Sequence, residues 1–294
     1  MTFTDHRKMQ LYGALLLLPA AVLLGVFAYL PTITTVIQSL FLPGFRDEPA
    51  QFVGLENYQY LFDDPTFWKV ARNNLLYALG TIPTSMALAL CMALLVNGRL
   101  PGRGLTRMAY FTPTILPMIA AANIWMFFYA PQIGLFNKLL GALGLAGVNW
   151  LGDPSVALYS IIVMSIWKEA GFFMIFYLAA LQAIPPELKE AADLEGTGRV
   201  GYFWRVTFPL LMPTTLFVLI NALINAVRVI DHLFILTKGG PNDATNLLLY
   251  YVYENAFAFF DRTTAATITV LILVVLALIA TLKFLILDRR THYQ

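Results

Sequence analysis

Six long apolar stretches dominate this chain and limit the folds that it can adopt. A helix that crosses a bilayer needs about 20 mostly apolar residues. The sequence therefore predicts an all-α integral membrane protein with six transmembrane helices, and we interpret residues 1–294 as a single transmembrane domain. The approximate bounds of the predicted spans are 11–37, 71–96, 108–130, 156–183, 209–230 and 264–287.

The overall composition supports a membrane location. The chain is 59% hydrophobic and 12% charged, whereas a soluble protein is about 45–50% apolar and about 25% charged. The net charge is +2, and no basic patch with interleaved aromatic residues is present, so we expect membrane lipid and no nucleic acid as a partner. A single cysteine, Cys91, excludes an internal disulfide and a cysteine-based metal cluster.

The first three spans carry features that bear on how the helices are built. His6, Arg7 and Lys8 precede the first apolar run, but this run is too long for the core of a signal peptide, so we expect a retained helix. Proline residues also interrupt several spans. Neighbouring helices or polar side chains must then satisfy the carbonyls that proline leaves free, which predicts a packed bundle with irregular helices. These residues are Pro19, Pro83, Pro113 and Pro117.

The distribution of lysine and arginine predicts the orientation in the membrane. Cytoplasmic segments carry an excess of these residues. Eleven lie at the two termini and in the loops 97–107 and 184–208, whereas six lie in the longer loops of the opposite side. Both termini and the loop 184–208 are therefore predicted to be cytoplasmic.

The loop 184–208 is highly charged between two apolar spans. Pro185 and Pro186 end the fourth span and suit the first turn of a new helix, and Gly196 suits the position just after its end. A second short helix is expected at about 198–207. The pattern predicts a cytoplasmic helix–turn–helix; a helix that lies on the bilayer surface is the alternative that chemistry alone leaves open.

This loop also contains a motif with fixed spacing. It begins with Glu-Ala-Ala at 190–192, Gly196 follows six residues after Glu190, and Val206 and Pro209 follow sixteen and nineteen residues after it. The motif resembles the cytoplasmic signature of permease subunits in binding-protein-dependent ABC importers.

Two other segments extend the resemblance to nearly the whole chain. The sequences ALQAIPPEL at 180–188 and TKGGPNDAT at 237–245 are similar to those of the carbohydrate-uptake branch, of the maltose and glycerol-phosphate types. The chain departs from the usual signature at Glu195, where aspartate is common, and at Phe208, where leucine is common. Both departures keep charge or bulk.

The resemblance implies a role for the loop and a set of partners. In that family, the loop lies in a groove of an ATP-hydrolysing subunit and transmits its closure to the membrane helices. Expected partners are an ATPase dimer, a second homologous permease and an extracytoplasmic solute-binding protein, at the bacterial inner membrane. The expected coupling residues are Glu190, Ala191, Ala192, Glu195, Gly196 and Arg199.

Catalytic and metal-binding motifs are missing from the sequence. There is no G-x-x-x-x-G-K-[ST] phosphate loop, no H-E-x-x-H, no G-x-S-x-G and no cluster of histidine and cysteine. The three histidines, His6, His232 and His292, are too scattered to indicate a site. We therefore predict a transport subunit without catalytic residues, metal or cofactor, with ATP and Mg²⁺ on the partner ATPase.

Polar and ionisable residues within the predicted spans are candidates for a solute pathway, because they are costly in lipid. Lys168 and Glu169 lie near the middle of the fourth span and point about 100° apart on a helix. A polar stripe at i, i+4, i+7 and i+10 follows one face of the fifth span, and two weaker candidates lie in the third. The alternative interpretation is hydrogen bonding between helices. These further candidates are Asn221, Asn225, Arg228, Asp231, Asn123 and Trp125.

The function predicted from these features is the membrane-spanning subunit of an ATP-driven importer for a sugar, polyol or glycerol-phosphate-type solute. The alternative is an ion-coupled secondary transporter, in which Lys168, Glu169, Arg228 and Asp231 form an ion relay. A structural subunit without a pathway would leave the polar stripe unexplained. The sequence does not identify the solute, and it leaves open whether Lys168 and Arg228 contact solute or pair internally.

Overall fold

The computed structural model describes residues 3–44, 49–98 and 102–287. Within them the chain is mainly helical, with one short antiparallel hairpin formed by β1 (Phe41–Leu42) and β2 (Gln51–Phe52). Four of the basic residues that entered the orientation argument, Arg46, Arg99, Arg289 and Arg290, lie outside the described residues.

Fourteen α-helices follow one another along the described residues, and three π-helical turns interrupt them. The π-helical turns are Gly25–Tyr29, Phe203–Thr207 and Glu254–Ala258. The helices are α1 (Phe3–Leu24), α2 (Leu30–Gln38), α3 (Glu56–Asp63), α4 (Pro65–Asn97), α5 (Arg103–Ile115), α6 (Met118–Tyr129), α7 (Leu135–Ala142), α8 (Ala157–Gln182), α9 (Pro186–Leu194), α10 (Arg199–Tyr202), α11 (Phe208–Val227), α12 (Asp231–Leu236), α13 (Leu248–Tyr253) and α14 (Arg262–Leu287).

Five stretches of helix in the described chain are long and apolar enough to cross a membrane, and a sixth is added if a bent pair counts as one span. The all-α membrane architecture predicted from the sequence is therefore confirmed. The five stretches are Lys8–Gln38, Pro65–Asn97, Ala157–Gln182, Arg199–Leu236 and Arg262–Thr281, and the bent pair is α5 with α6.

The third span, predicted at 108–130 and expected to be irregular because of its prolines, is divided into two helices. Helix α5 ends at Ile115, α6 begins at Met118, and the two axes are bent by 101°. Leu116 and Pro117 between them have extended backbone, with ψ of 133° and 142°. Proline disfavours the helical conformation of the residue before it and has no N–H for a helical hydrogen bond, which explains why the span breaks here.

The fifth span begins earlier than expected. The second short helix of the charged loop was expected at about 198–207, leading into the fifth span; in the structure, α10 continues through the π-helical turn Phe203–Thr207 into α11 without a break. The same span is interrupted near its other end, because α11 ends at Val227 and α12 begins at Asp231. Two of the transmembrane elements are thus discontinuous, the third and the fifth.

The described chain divides into two compact units. The first contains the described residues up to Asp64 together with Val252–Leu278. Asn57 ties its hairpin to α3, because the side-chain amide donates to the carbonyl of Phe41 in β1 at 3.3 Å and to that of Ser39 at 2.8 Å. The Ser39 and Tyr58 hydroxyls also share a hydrogen bond of 2.8 Å.

The second unit contains Pro65–Tyr251 and the described residues from Ile279 onward. Helices α4, α8 and α11 supply most of its fully buried side chains. Apolar side chains at helical spacing on these helices pack against one another, which is why a chain with so few charges forms a defined core. Examples are Val70, Ala89, Ile161, Phe173, Leu211 and Val218, each 0% exposed.

Helix α8 approaches α5 so closely that only glycine fits at the contact. A Cβ atom on Gly171 would lie 2.3 Å from the carbonyl oxygen of Tyr110 and 3.1 Å from the hydroxyl of Thr114. Small residues at helix contacts are typical of membrane bundles, because they let backbones pack closely. Gly171 therefore fixes the distance between the third and fourth spans.

We expect Gly171→Ala to destabilise the chain by about 1–3 kcal/mol, since the added methyl group meets backbone that cannot move aside. Gly141→Ala is the matched control, because Gly141 is also helical and its Cβ would meet no atom within 4 Å. The stabilities of both variants are measured by thermal unfolding of the purified chain in detergent, monitored by circular dichroism. Equal melting temperatures for the two variants would contradict the close contact.

Candidate functional site: a polar cavity and an exposed helix pair

A polar cavity of about 310 Å³ lies among the membrane-spanning helices of the second unit. Residues of α4, α5, α6, α8, α11 and α12 line it, and the breaks of the third and fifth spans both face it. Five of the residues singled out from the sequence meet here, namely Lys168, Glu169, Asn225, Arg228 and Asp231. The remaining lining includes Tyr77, Thr114, Met118, Phe172, Val229 and His232.

The charged groups of the cavity are two cations and two anions that form no ion pair with one another. The ion pair between Lys189 and Asp193 involves none of these four groups. Arg228 and Asp231 are exposed, so the internal pairing that the sequence left open for Arg228 is not formed here. The cavity therefore offers charged hydrogen-bond donors and acceptors to a bound solute.

Glu169 presents an unsatisfied acceptor at the cavity. It lines the cavity together with Asn225, and its Oε2 atom is buried without a hydrogen-bond partner. A buried oxygen without a partner costs free energy, and such groups in native structures usually have a ligand or water to bind. Glu169 is thus ready to accept a hydrogen bond from a molecule inside the cavity.

Lys168 has a different environment, although it is the sequence neighbour of Glu169. Its ammonium group donates to the carbonyl oxygens of Pro113 at 3.0 Å and Leu116 at 2.6 Å. Both acceptors belong to the break of the third span. The two neighbours line the same cavity in spite of their divergent directions on α8, because the long lysine side chain reaches the bent segment.

A buried hydrogen-bonded pair at the floor of the cavity was not anticipated from the sequence. The His232 Nε2 atom lies 3.0 Å from the hydroxyl of Ser165, which itself donates to the carbonyl of Ile161 at 2.9 Å. His232 is 2% exposed. In the sequence, His232 was too far from the other histidines to indicate a site. Its position next to Asp231 was the signal that could have identified it.

Three of the predicted pathway residues do not line the cavity. The amide groups of Asn221 and Asn123 donate to the carbonyls one turn earlier, those of Phe217 at 2.8 Å and Ile119 at 2.9 Å. Trp125 is 7% exposed and packs in an aromatic cluster, with its ring 5.4 Å from Tyr129 and 5.5 Å from Trp167. Their place in a pathway stays a prediction.

The second candidate feature is the helix pair, which we define as residues 186–202, comprising α9 and α10. Gly196 joins the two helices in the left-handed conformation, with φ of +72°. The Thr197 N–H bonds the carbonyl of Ala192 at 2.8 Å, and the Gly196 N–H bonds that of Asp193 at 3.2 Å. These two bonds form a Schellman motif, which ends a helix in the way the sequence predicted for Gly196.

Most of the predicted coupling residues lie on the surface of the helix pair. Glu190, Ala191, Glu195, Gly196 and Arg199 are exposed, whereas Ala192 is buried at 8% exposure. Within α9, the Lys189 ammonium group bonds Asp193 at 2.9 Å, and it lies 5.9 Å from the centre of the Tyr202 ring of α10. Ala192 therefore packs within the chain, and Ala191 alone of the two presents its methyl group outward.

The two most exposed apolar side chains of the helix pair were not among the predicted site residues. Leu194 is 90% exposed and Val200 is 73% exposed. Exposed apolar groups rimmed by charge often mark a surface for another protein. The signal in the sequence was the presence of both residues in an otherwise charged loop.

Comparison with known proteins adds evidence of relationship. The family described as binding-protein-dependent transport system inner membrane component matches residues 72–293. The chain is 36% identical over 253 residues to the sulfoquinovosyl glycerol transport system permease protein of Agrobacterium fabrum, covering 86% of this chain and 82% of the relative. It is 36% identical over 252 residues to the trehalose/maltose transport system permease protein of Thermococcus litoralis, covering 85% of each.

A solved structure has the same fold. A chain of a bacterial ABC transporter involved in the import of the acidic polysaccharide alginate superimposes with a TM-score of 0.86 at 24% identity, covering 98% of this chain and 99% of that one. The family match spans most of the sequence and includes both the cavity and the helix pair. This chain belongs to the family of binding-protein-dependent transport system inner membrane components.

Proposed function

We propose that this chain forms, together with a second related permease, the translocation pathway of an ATP-driven importer for a sugar, polyol or glycerol-phosphate-type solute. The observation that carries the proposal is the cavity between two broken spans, with charged groups that have no ionic partner within the described residues. The family identifies a transport subunit, which agrees with the prediction that the chain is not an enzyme.

The chemistry of the cavity suits a solute rich in hydroxyl groups. Its volume of about 310 Å³ falls at the lower end of the roughly 300–1,000 Å³ found for small-molecule sites. Glu169 and Asp231 offer acceptors, Asn225 and Arg228 offer donors, and Phe172 offers an apolar face. Relatives that transport sulfoquinovosyl glycerol or trehalose and maltose, by their names, support this class of solute.

The helix pair is the surface through which we propose that ATP hydrolysis drives transport. It would lie in a groove of a separate ATPase subunit, with Leu194 and Val200 buried there and with Glu190, Glu195 and Arg199 as polar contacts. The exposed positions of these side chains support the proposal. ATP and Mg²⁺ would bind to that ATPase.

The remaining parts of the proposal concern topology. The protein is a multi-pass protein of the inner membrane, and we place both termini and the helix pair in the cytoplasm, since most lysine and arginine residues lie on that side. A solute-binding protein would then approach the opposite face. Residues 1–294 would act as one permease domain. The ion-coupled alternative has no support from the relatives.

We expect Glu169→Gln to raise the KM for uptake of the transported solute about tenfold or more, because a hydrogen bond to a charged acceptor is lost. Uptake of labelled sugars, polyols and glycerol phosphates into proteoliposomes with the full set of subunits measures this. Glu56→Gln is the matched control, since Glu56 is an exposed residue of α3 outside the cavity lining. An unchanged KM in Glu169→Gln would remove the cavity from the proposed pathway.

We expect Gly196→Ala to weaken both ATPase binding and ATP-driven uptake about five- to thirtyfold, since a left-handed alanine costs about 1–2 kcal/mol. Gly198→Ala is a close control. A Cβ atom would meet nothing within 4 Å at either glycine, but Gly198 has φ of −67°. Retention of the ATPase on the affinity-purified chain and uptake at saturating ATP are the readouts. Equal losses in the two variants would contradict a role for the turn geometry.

A further inference from the structure

The break in the third span leaves backbone carbonyl groups that need partners. The last four carbonyls of any helix have no N–H within the helix. At this break the shortage is greater, because Pro117 has no N–H to donate to the carbonyl of Pro113. At this depth in the bilayer such a carbonyl needs a donor from the protein or from water in a cavity.

Lys168 supplies these donors. Its ammonium group bonds the carbonyls of Pro113 and Leu116 at 3.0 and 2.6 Å, one on each side of the end of α5. A cation at the carboxyl end of a helix is also favoured by the helix dipole. Bonds from a charged donor are stronger than bonds between neutral groups. The side chain therefore joins α8 to the bent segment at the point where the backbone is least satisfied.

A second contact on the same face of α8 brings the two elements together. Gly171 lies three residues after Lys168, and residues at this spacing are neighbours on a helix surface. At Gly171 the backbone of α5 is so close that an added Cβ would lie 2.3 Å from the Tyr110 carbonyl oxygen. The pair Lys168 and Gly171 thus holds the end of α5 from two points.

The bent segment also forms part of the cavity wall. Thr114 of α5 and Met118 of α6 both line the cavity, one on each side of the break. A change in the 101° bend would move these two side chains relative to each other. The shape of the cavity consequently depends on whatever holds the bend.

We propose that Lys168 is a positioning residue that holds the third span in its bent form and thereby shapes the solute site. It was a candidate for direct contact with solute, but two of its three N–H donors serve the backbone of the break. The link to the solute site rests on the proposed function, whereas the link to the bend does not. An experiment that measures the bend itself therefore tests the role of Lys168 in the bend independently of the proposed function.

The bend is measured by electron paramagnetic resonance distances between spin labels at positions 105 and 126. Leu105 and Met126 are exposed residues on α5 and α6, and Cys91→Ala removes the native thiol. A continuous straight helix would separate these positions by about 32 Å at 1.5 Å per residue, so loss of the bend lengthens the distance. The full-length chain in lipid nanodiscs is used.

We expect Lys168→Met to shift the distance distribution to longer values or to broaden it. Lys168→Arg should keep the native distribution, because guanidinium can also donate to both carbonyls. Lys138→Met should keep it as well, since Lys138 is exposed and does not contact the break. Gly171→Ala provides a second perturbation of the same contact if Lys168→Met is not recovered, and it should also lengthen the distance. An unchanged distance distribution in Lys168→Met, or in Gly171→Ala where Lys168→Met is not recovered, would overturn the proposal.

Transport kinetics give a readout that general loss of structure would not produce. We expect Lys168→Met to raise the KM for solute about tenfold, with a smaller change in the maximal rate per inserted transporter, and Lys168→Arg to restore the KM. Absence of uptake by the unmodified transporter would refute the proposed function. The conclusion about the bend, which rests on the spin-label distances, would still hold. An altered bend with an unchanged KM would overturn the assignment of Lys168 to the solute site.

Discussion

Inside a bilayer every backbone polar group must find a partner within the protein, and this constraint shapes the centre of the structure. Irregular backbone is tolerated at this depth only where it is buried in protein or lines a cavity. Both discontinuous spans obey this rule. The third breaks at Leu116–Pro117, where Lys168 bonds the freed carbonyls, and the fifth breaks between Val227 and Asp231. The cavity lies where the two breaks meet.

Two of the helices that line the cavity, α8 and α11, are also connected to the helix pair, which gives the proposed mechanism a physical route. Helix α8 runs from Lys168 and Glu169 to Gln182 and leads directly into α9. On the other side, α10 continues through a π-helical turn into α11, which reaches Asn225 and ends beside Arg228. A displacement of the helix pair would therefore reach the cavity along two packed helices, which is the kind of contiguous connection that coupling between sites requires.

Local features were predictable from the sequence, and features that depend on several helices were not. Gly196 could be identified as the end of α9 because a helix end is decided by a few neighbouring residues, and apolar runs revealed the spans. Pro117 indicated an irregular third span, but its 101° bend depends on Lys168 and Gly171 of another helix. His232 and Tyr77 line the cavity, whereas Trp125 packs in an aromatic cluster. The rotation of each helix about its axis decides which of its faces lines the cavity. That rotation could not be predicted from the pattern of residues along a single sequence.

The source of energy is the most direct test of the account, because it separates a subunit of an ATP-driven importer from a carrier that works alone. Proteoliposomes that contain this chain, its ATPase, the second permease and the binding protein would be given labelled sugars, polyols and glycerol phosphates. Uptake would be compared with ATP on the ATPase side and with a proton or sodium gradient alone. The account predicts uptake with ATP and none with either gradient. Gradient-driven uptake without ATP would contradict it and would assign Lys168, Glu169, Arg228 and Asp231 to ion coupling.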